Sequence, residues 1–184
     1  MDLINKFRSF FSKPEPLGPS TSAYIELTDL PTDRRGRERL NAREGLKVLV
    51  IDDSATVCAA LRKILKSAKL QVDQAMDAES GLKQVQSGRP DLIFLDIVLP
   101  RMNGFSALRH LRRDPATKNI PVIMISGNEL ATEQFFGNAI GANDFMKKPF
   151  SRYEVFARIE RLLDDDHVPQ RKASTTAHAP ISTL

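Results

Sequence analysis

Four short apolar runs end in residues able to do chemistry. KVLVI is followed by Asp52-Asp53, LIFL by Asp96, PVIMI by Ser126-Gly127, and DFM by Lys147-Lys148-Pro149. Brought to one place, three carboxylates repel one another strongly unless something cationic offsets them. An oxygen-only cluster of this kind is what Mg²⁺ takes, usually keeping several waters and completing its shell with a phosphate. A lysine and a serine suit phosphoryl oxygens, one through a charge-assisted hydrogen bond and the other through a neutral one. Singly these residues say little. Asp52-Asp53 before Ser54 could equally cap a helix. Asp96 is harder to dismiss, because an unpaired carboxylate at the end of an all-apolar run is expensive. Their joint placement at the ends of four runs carries the reading.

The elements that must position them alternate regularly. Strands are expected at Lys47–Asp52, Leu70–Ala75, Asp91–Asp96, Pro121–Ser126 and Asp144–Lys147. Between and after them, helices are expected at Ser54–Lys69, Asp77–Ser87 (closing near Gly88), Asn103–Arg113, Glu129–Ile140 (ended by Gly141) and Ser151–Leu163. Apolar residues at Val57, Leu61, Ile64, Leu65 and Ala68 give the first helix its periodicity. Such alternation predicts an α/β fold with a parallel sheet wrapped on both faces by right-handed crossovers. Sheets of this class bind ligands at the carboxyl ends of their strands. In the flavodoxin-like, doubly wound order 2-1-3-4-5, strands one, three, four and five are neighbours, so the four run ends converge on one cleft.

Composition narrows the function classes. The 184 residues are 41% hydrophobic and 27% charged, typical of a globular protein. The formal charge of +4 is spread over the chain, and the densest basic cluster, Arg34, Arg35, Arg37 and Arg39, is interleaved with Asp33 and Glu38. With no Trp either, nucleic acid is not an expected partner. A single cysteine, Cys58, excludes an internal disulfide framework and a multi-cysteine metal site. Leu92–Leu99 is broken by Asp96 and too short to span a bilayer, and Lys6 and Arg8 interrupt any secretory signal, so a cytoplasmic protein is expected.

The strings VLVIDDS, LIFLDIVLPRMNG, PVIMISG and GANDFMKKPF resemble the signature segments of two-component response-regulator receiver domains, over residues 46–163. The resemblance implies that Asp96 is the phosphoacceptor, modified by a sensor histidine kinase. It implies an acidic Mg²⁺ pocket of Asp52 and Asp53, with Asp53, Asp96 and the backbone carbonyl of Val98 as metal ligands. Ser126 matches the hydroxyl that binds the phosphoryl oxygen, Lys148 the lysine of the site, and Phe145 the aromatic that switches with Ser126. Lys147 is then an extra charge at the rim, and Lys148-Pro149 is expected to be cis. The implied protein is a phosphoacceptor limited to its own phosphorylation and dephosphorylation, without enzymatic turnover. Its downstream protein partner would bind the face of the fourth helix, fifth strand and fifth helix. Phe135 and Phe136 make the fourth helix the expected output surface, since adjacent helical side chains point about 100° apart and both can hardly be fully buried; one core residue and one shielded at the sheet edge is the alternative.

Other readings remain beside this one. The domain could shuttle phosphoryl groups to another partner or act as a phosphate sink. A haloacid-dehalogenase-type phosphatase also uses an aspartyl nucleophile and Mg²⁺, but pairs its carboxylates as D-x-D after the first strand, whereas Asp52 and Asp53 are adjacent. The polar residues after 163 are too few for a helix-turn-helix, so output through a protein contact is expected. The motif strings are also similar to regulators of chemotaxis-like systems controlling type IV pilus twitching motility. Residues 1–45 are expected to be an extension: a short amphipathic helix (Leu3, Ile4, Phe7, Phe10, Phe11), then a Pro- and Arg-rich linker. A helix this short forms only when docked; a partner protein is favoured over an anionic membrane surface or the domain itself. Residues 164–184 are expected to be a disordered tail.

Overall fold

Five parallel strands pair in the order β2-β1-β3-β4-β5. They are β1 (Lys47–Ile51), β2 (Gln71–Ala75), β3 (Leu92–Asp96), β4 (Val122–Ser126) and β5 (Asp144–Lys147). The computed structural model describes residues 40–128 and 141–171, all within the compact unit Arg37–Leu184. The order is the one expected for a flavodoxin-like sheet. β3 and β4 are buried at every residue and β1 at all but its first, while the edge strand β2 alternates. This is how a sheet covered on both faces differs between its centre and its rim.

Successive strand residues feed opposite faces. Val48, Val50 and Phe94 join one apolar cluster with Leu61 and Leu65 of α1 (Ala55–Ser67) and with Val155, Phe156 and Ile159 of α4 (Arg152–Glu160). Leu49, Ile51, Ile93 and Leu95 join the other, with Val85 of α2 (Ala78–Gly88) and with Ala107, Leu108 and Leu111 of α3 (Gly104–Arg113). α4 is the fifth of the expected helices. The expected helix Glu129–Ile140, with Phe135 and Phe136, lies outside the described residues, as do the N-terminal amphipathic segment and residues 172–184.

Side chains set the helix starts. Ser54, Asp77, Asn103 and Ser151 each accept a backbone N–H from three residues on, satisfying a donor that the helix itself cannot. The ends differ slightly from expectation. α2 runs through Gly88, and the left-handed residue that closes it is Arg89 (φ 44°), whose N–H donates to the Val85 carbonyl; Pro90 follows and cannot continue the helix.

Residues 164–171, expected to belong to a disordered tail, are ordered. Residues 164–171 fold back beside α4: Leu163 bridges Pro169 antiparallel, and the Gln170 N–H donates to the Leu162 carbonyl at 2.8 Å. Pro169 is buried and Val168 packs on the core, with Leu40 and Ala42 from ahead of β1. Asp164 Oδ1 accepts the N–H groups of Asp166 and Val168, each at 3.0 Å, making a local turn. Among the described residues, no helix is long and apolar enough to cross a membrane.

Candidate functional site

The carboxyl ends of β1, β3, β4 and β5 bring the singled-out residues together. Asp52 follows β1 directly and is fully buried; Asp96 is the last residue of β3 and only 4% exposed. Asp53 is exposed. One carboxylate oxygen from each of the three lies within 4.8 Å of the others. Ser126, the last residue of β4, is buried and stands opposite Lys147 of β5. The chain then turns through Lys148, whose N–H donates to the Ser126 carbonyl at 2.8 Å and whose bond to Pro149 is cis.

Lys148 supplies the cation. Its Nζ donates to Asp96 Oδ2 at 2.7 Å and lies 2.7 Å from Asp52 Oδ2. Asp96 Oδ1 accepts the Val98 N–H, and Asp52 Oδ1 accepts the Ser54 N–H. The alternative in which Asp52 caps the first helix is not what forms. Ser54 Oγ takes the capping N–H of Val57, which leaves the aspartate facing the cleft. Burial pushes the Asp96 carboxyl above its ordinary range, with Lys148 pulling against it and Asp52 adding to it. Burial also opposes the Lys148 ammonium, but Asp52 and Asp96 outweigh it and hold that group above the usual lysine value.

The charge count shows what the cleft can hold. Three carboxylates against one ammonium leave a formal excess of two negative charges. Asp52 Oδ2 is buried and, apart from the Lys148 ion pair, accepts no hydrogen bond. A hard divalent cation matches both the excess charge and the all-oxygen donor set, so the residues present fit Mg²⁺.

Two neighbours matter that the sequence did not place at the site. A Cβ on Gly104 would collide with the Asp96 carbonyl oxygen, so glycine is what lets α3 start against the end of β3. Its own N–H donates to the Ile97 carbonyl at 2.9 Å. The dipeptide Asn103-Gly104, a capping residue before a glycine, is the local signal for this close approach. Cys58 Sγ donates to the Asp52 carbonyl at 3.3 Å, and burial, reinforced by Asp52, pushes its thiol up to about 11. Of the remaining expected residues, Val98 is half exposed beside Asp96, Phe145 is buried in β5, and Lys147 is exposed at the rim.

A family model described as "Response regulator receiver domain" matches residues 48–160. The chain is 33% identical to Protein PilG of Pseudomonas aeruginosa over 126 residues, covering 68% of this chain and 90% of PilG. It is 36% identical to the DNA-binding dual master transcriptional regulator RpaA of Synechocystis, covering 67% of this chain but 52% of RpaA. Among solved structures, chemotaxis protein CheY4 of Vibrio cholerae superposes with a TM-score of 0.60 at 28% identity, over 65% of this chain and 99% of that one. A response regulator from Chloroflexus aurantiacus gives the same TM-score at 30% identity, over 64% and 97%.

Proposed function

The chain belongs to the response regulator receiver domain family, and from that premise we propose that it accepts a phosphoryl group from a sensor histidine kinase on Asp96. The observation carrying this reading is the convergence of Asp52, Asp53 and Asp96 with Lys148 at the carboxyl ends of the central strands. A carboxylate oxygen of Asp96 attacks phosphorus as the bond to the donor imidazole nitrogen breaks, and that nitrogen leaves with the bonding pair. Asp96 is already ionised and needs no general base. Lys148 neutralises charge on the transferring oxygens while Ser126 offers its hydroxyl to one of them. Asp53, Asp96 and the Val98 carbonyl would hold Mg²⁺ in the pocket with Asp52, and the ion supplies further charge neutralisation there.

The acyl phosphate draws Ser126 towards it, and Phe145, on the neighbouring strand, moves into the space released. This biases the surface that includes β5 and α4 towards a downstream protein partner. A chemotaxis-like pathway, or one driving type IV pilus twitching, is supported by the motif strings and the likeness to PilG and CheY4. In the test, the purified protein is incubated with Mg²⁺ and a small phosphodonor and its intact mass followed. One phosphoryl group per chain is expected, lost with chelator and lost in Asp96→Asn; labelling that ignores both treatments contradicts the proposal.

A further inference from the structure

Residues 40–45 and 164–171, on either side of the matched domain, are folded onto it, and they meet. The Arg43 N–H donates to the His167 carbonyl at 3.0 Å. Leu40 and Ala42 on one side, and Leu163 and Val168 on the other, pack against the same apolar cluster. Arg171 extends the returning segment across to the loop before β4, where Nη1 donates to the Lys118 carbonyl at 3.0 Å. We propose that residues 40–45 and 164–171 form a clasp whose two halves hold each other in place, linking the root of the N-terminal extension to the end of α4.

The chemistry of the contact supports mutual dependence. Neither half is a regular element that could stand alone; each contributes two or three apolar groups and a few backbone hydrogen bonds, too little to offset its own ordering entropy. His167 sits in the left-handed region (φ 61°), which a non-glycine residue occupies only when its surroundings hold it there. It is the carbonyl of this strained residue that receives Arg43. The clasp lies at the start of β1, one strand length from Asp52, roughly 16 Å at the rise of an extended chain. Residues 40–45 therefore lead into the fold at the amino end of β1, away from the acidic cleft. A partner drawing that segment off unseats Val168 and Pro169 and frees the carboxyl end of α4 while leaving the cleft open.

Amide hydrogen exchange on the full chain tests the coupling in both directions. Leu40→Asp and Val168→Asp should each accelerate exchange roughly tenfold or more at both Arg43 and Gln170, with β1 and β3 still protected. Acceleration confined to the substituted segment overturns the proposal. If either substitution unfolds the strands, His167→Gly decides: relieving the left-handed residue should slow exchange at Arg43 and Gln170 together, and a change at Gln170 alone refutes the clasp.

Discussion

Lys148 and Asp96 stand 52 positions apart in the chain, yet Nζ of one donates to Oδ2 of the other at 2.7 Å. The same ammonium reaches the fully buried Asp52 at an equal distance. A single mostly buried cation thus offsets part of the charge of two buried anions, and the stability of the cleft depends on it.

Removing it should be costly. Lys148→Met leaves Asp52 and Asp96 without a counter-charge and is expected to lower unfolding free energy by about 3 kcal/mol, the low end for breaking a buried pair. Urea denaturation measures this, and Mg²⁺ should restore part of the loss.

Neutralising Asp96 should act in the opposite sense. Asp96→Asn keeps an oxygen for Lys148 and removes one of three converging negative charges. In chelator at neutral pH it is expected to stabilise by about 1–2 kcal/mol, a rise of several degrees in Tm. Added Mg²⁺ should stabilise the parent more than the variant and narrow the gap.

Gly104→Ala tests the packing beneath the site. The added methyl meets the Asp96 carbonyl oxygen, a backbone atom that can move only by shifting β3 or α3. A loss of about 1–3 kcal/mol is expected by thermal unfolding, with phosphorylation of the surviving folded protein slowed.

Cys58 offers a pH readout. Its thiol is 2% exposed and pushed up to about 11, so the native state keeps its proton where an unfolded thiol, near pH 8.5, has begun to lose it. Native protein should resist alkylation at pH 8 and react once unfolded. Stability should decline as pH rises from the ordinary thiol range towards the folded value.

Val98 is expected to lengthen the life of the proposed acyl phosphate. Half exposed beside Asp96, it has no side-chain polar group to hold an attacking water. Val98→Asn should shorten the phosphorylated half-life several-fold, measured by loss of label after the donor is removed.

Much of this arrangement was legible in the chain itself. The all-apolar runs ending in Asp96 and Ser126 read as strands covered on both faces, and parallel strands put their carboxyl ends on one side of the sheet, so the cleft follows once the strands take the order 2-1-3-4-5. What escaped reading depends on contacts between distant segments. Val168 and Pro169 sit in a polar context, yet Val168 packs against the same apolar cluster as Leu40 and Ala42 and Pro169 is buried. The restriction at Gly104 lies in a backbone approach to Asp96 that no local periodicity encodes. Ser54, rather than the aspartates before it, caps α1, because Asp52 still occupies its ladder position, donating its N–H to the Ala75 carbonyl.

Phosphorylation on Asp96 is tested by locating the modified residue. After incubation with Mg²⁺ and a small phosphodonor, borohydride reduction converts an aspartyl phosphate to homoserine, and peptide mass mapping reads the position. Homoserine is expected at position 96, with Asp52 and Asp53 unchanged and none formed in the Asp96→Asn chain. Homoserine at 52 or 53, or label that survives in that variant, would contradict it.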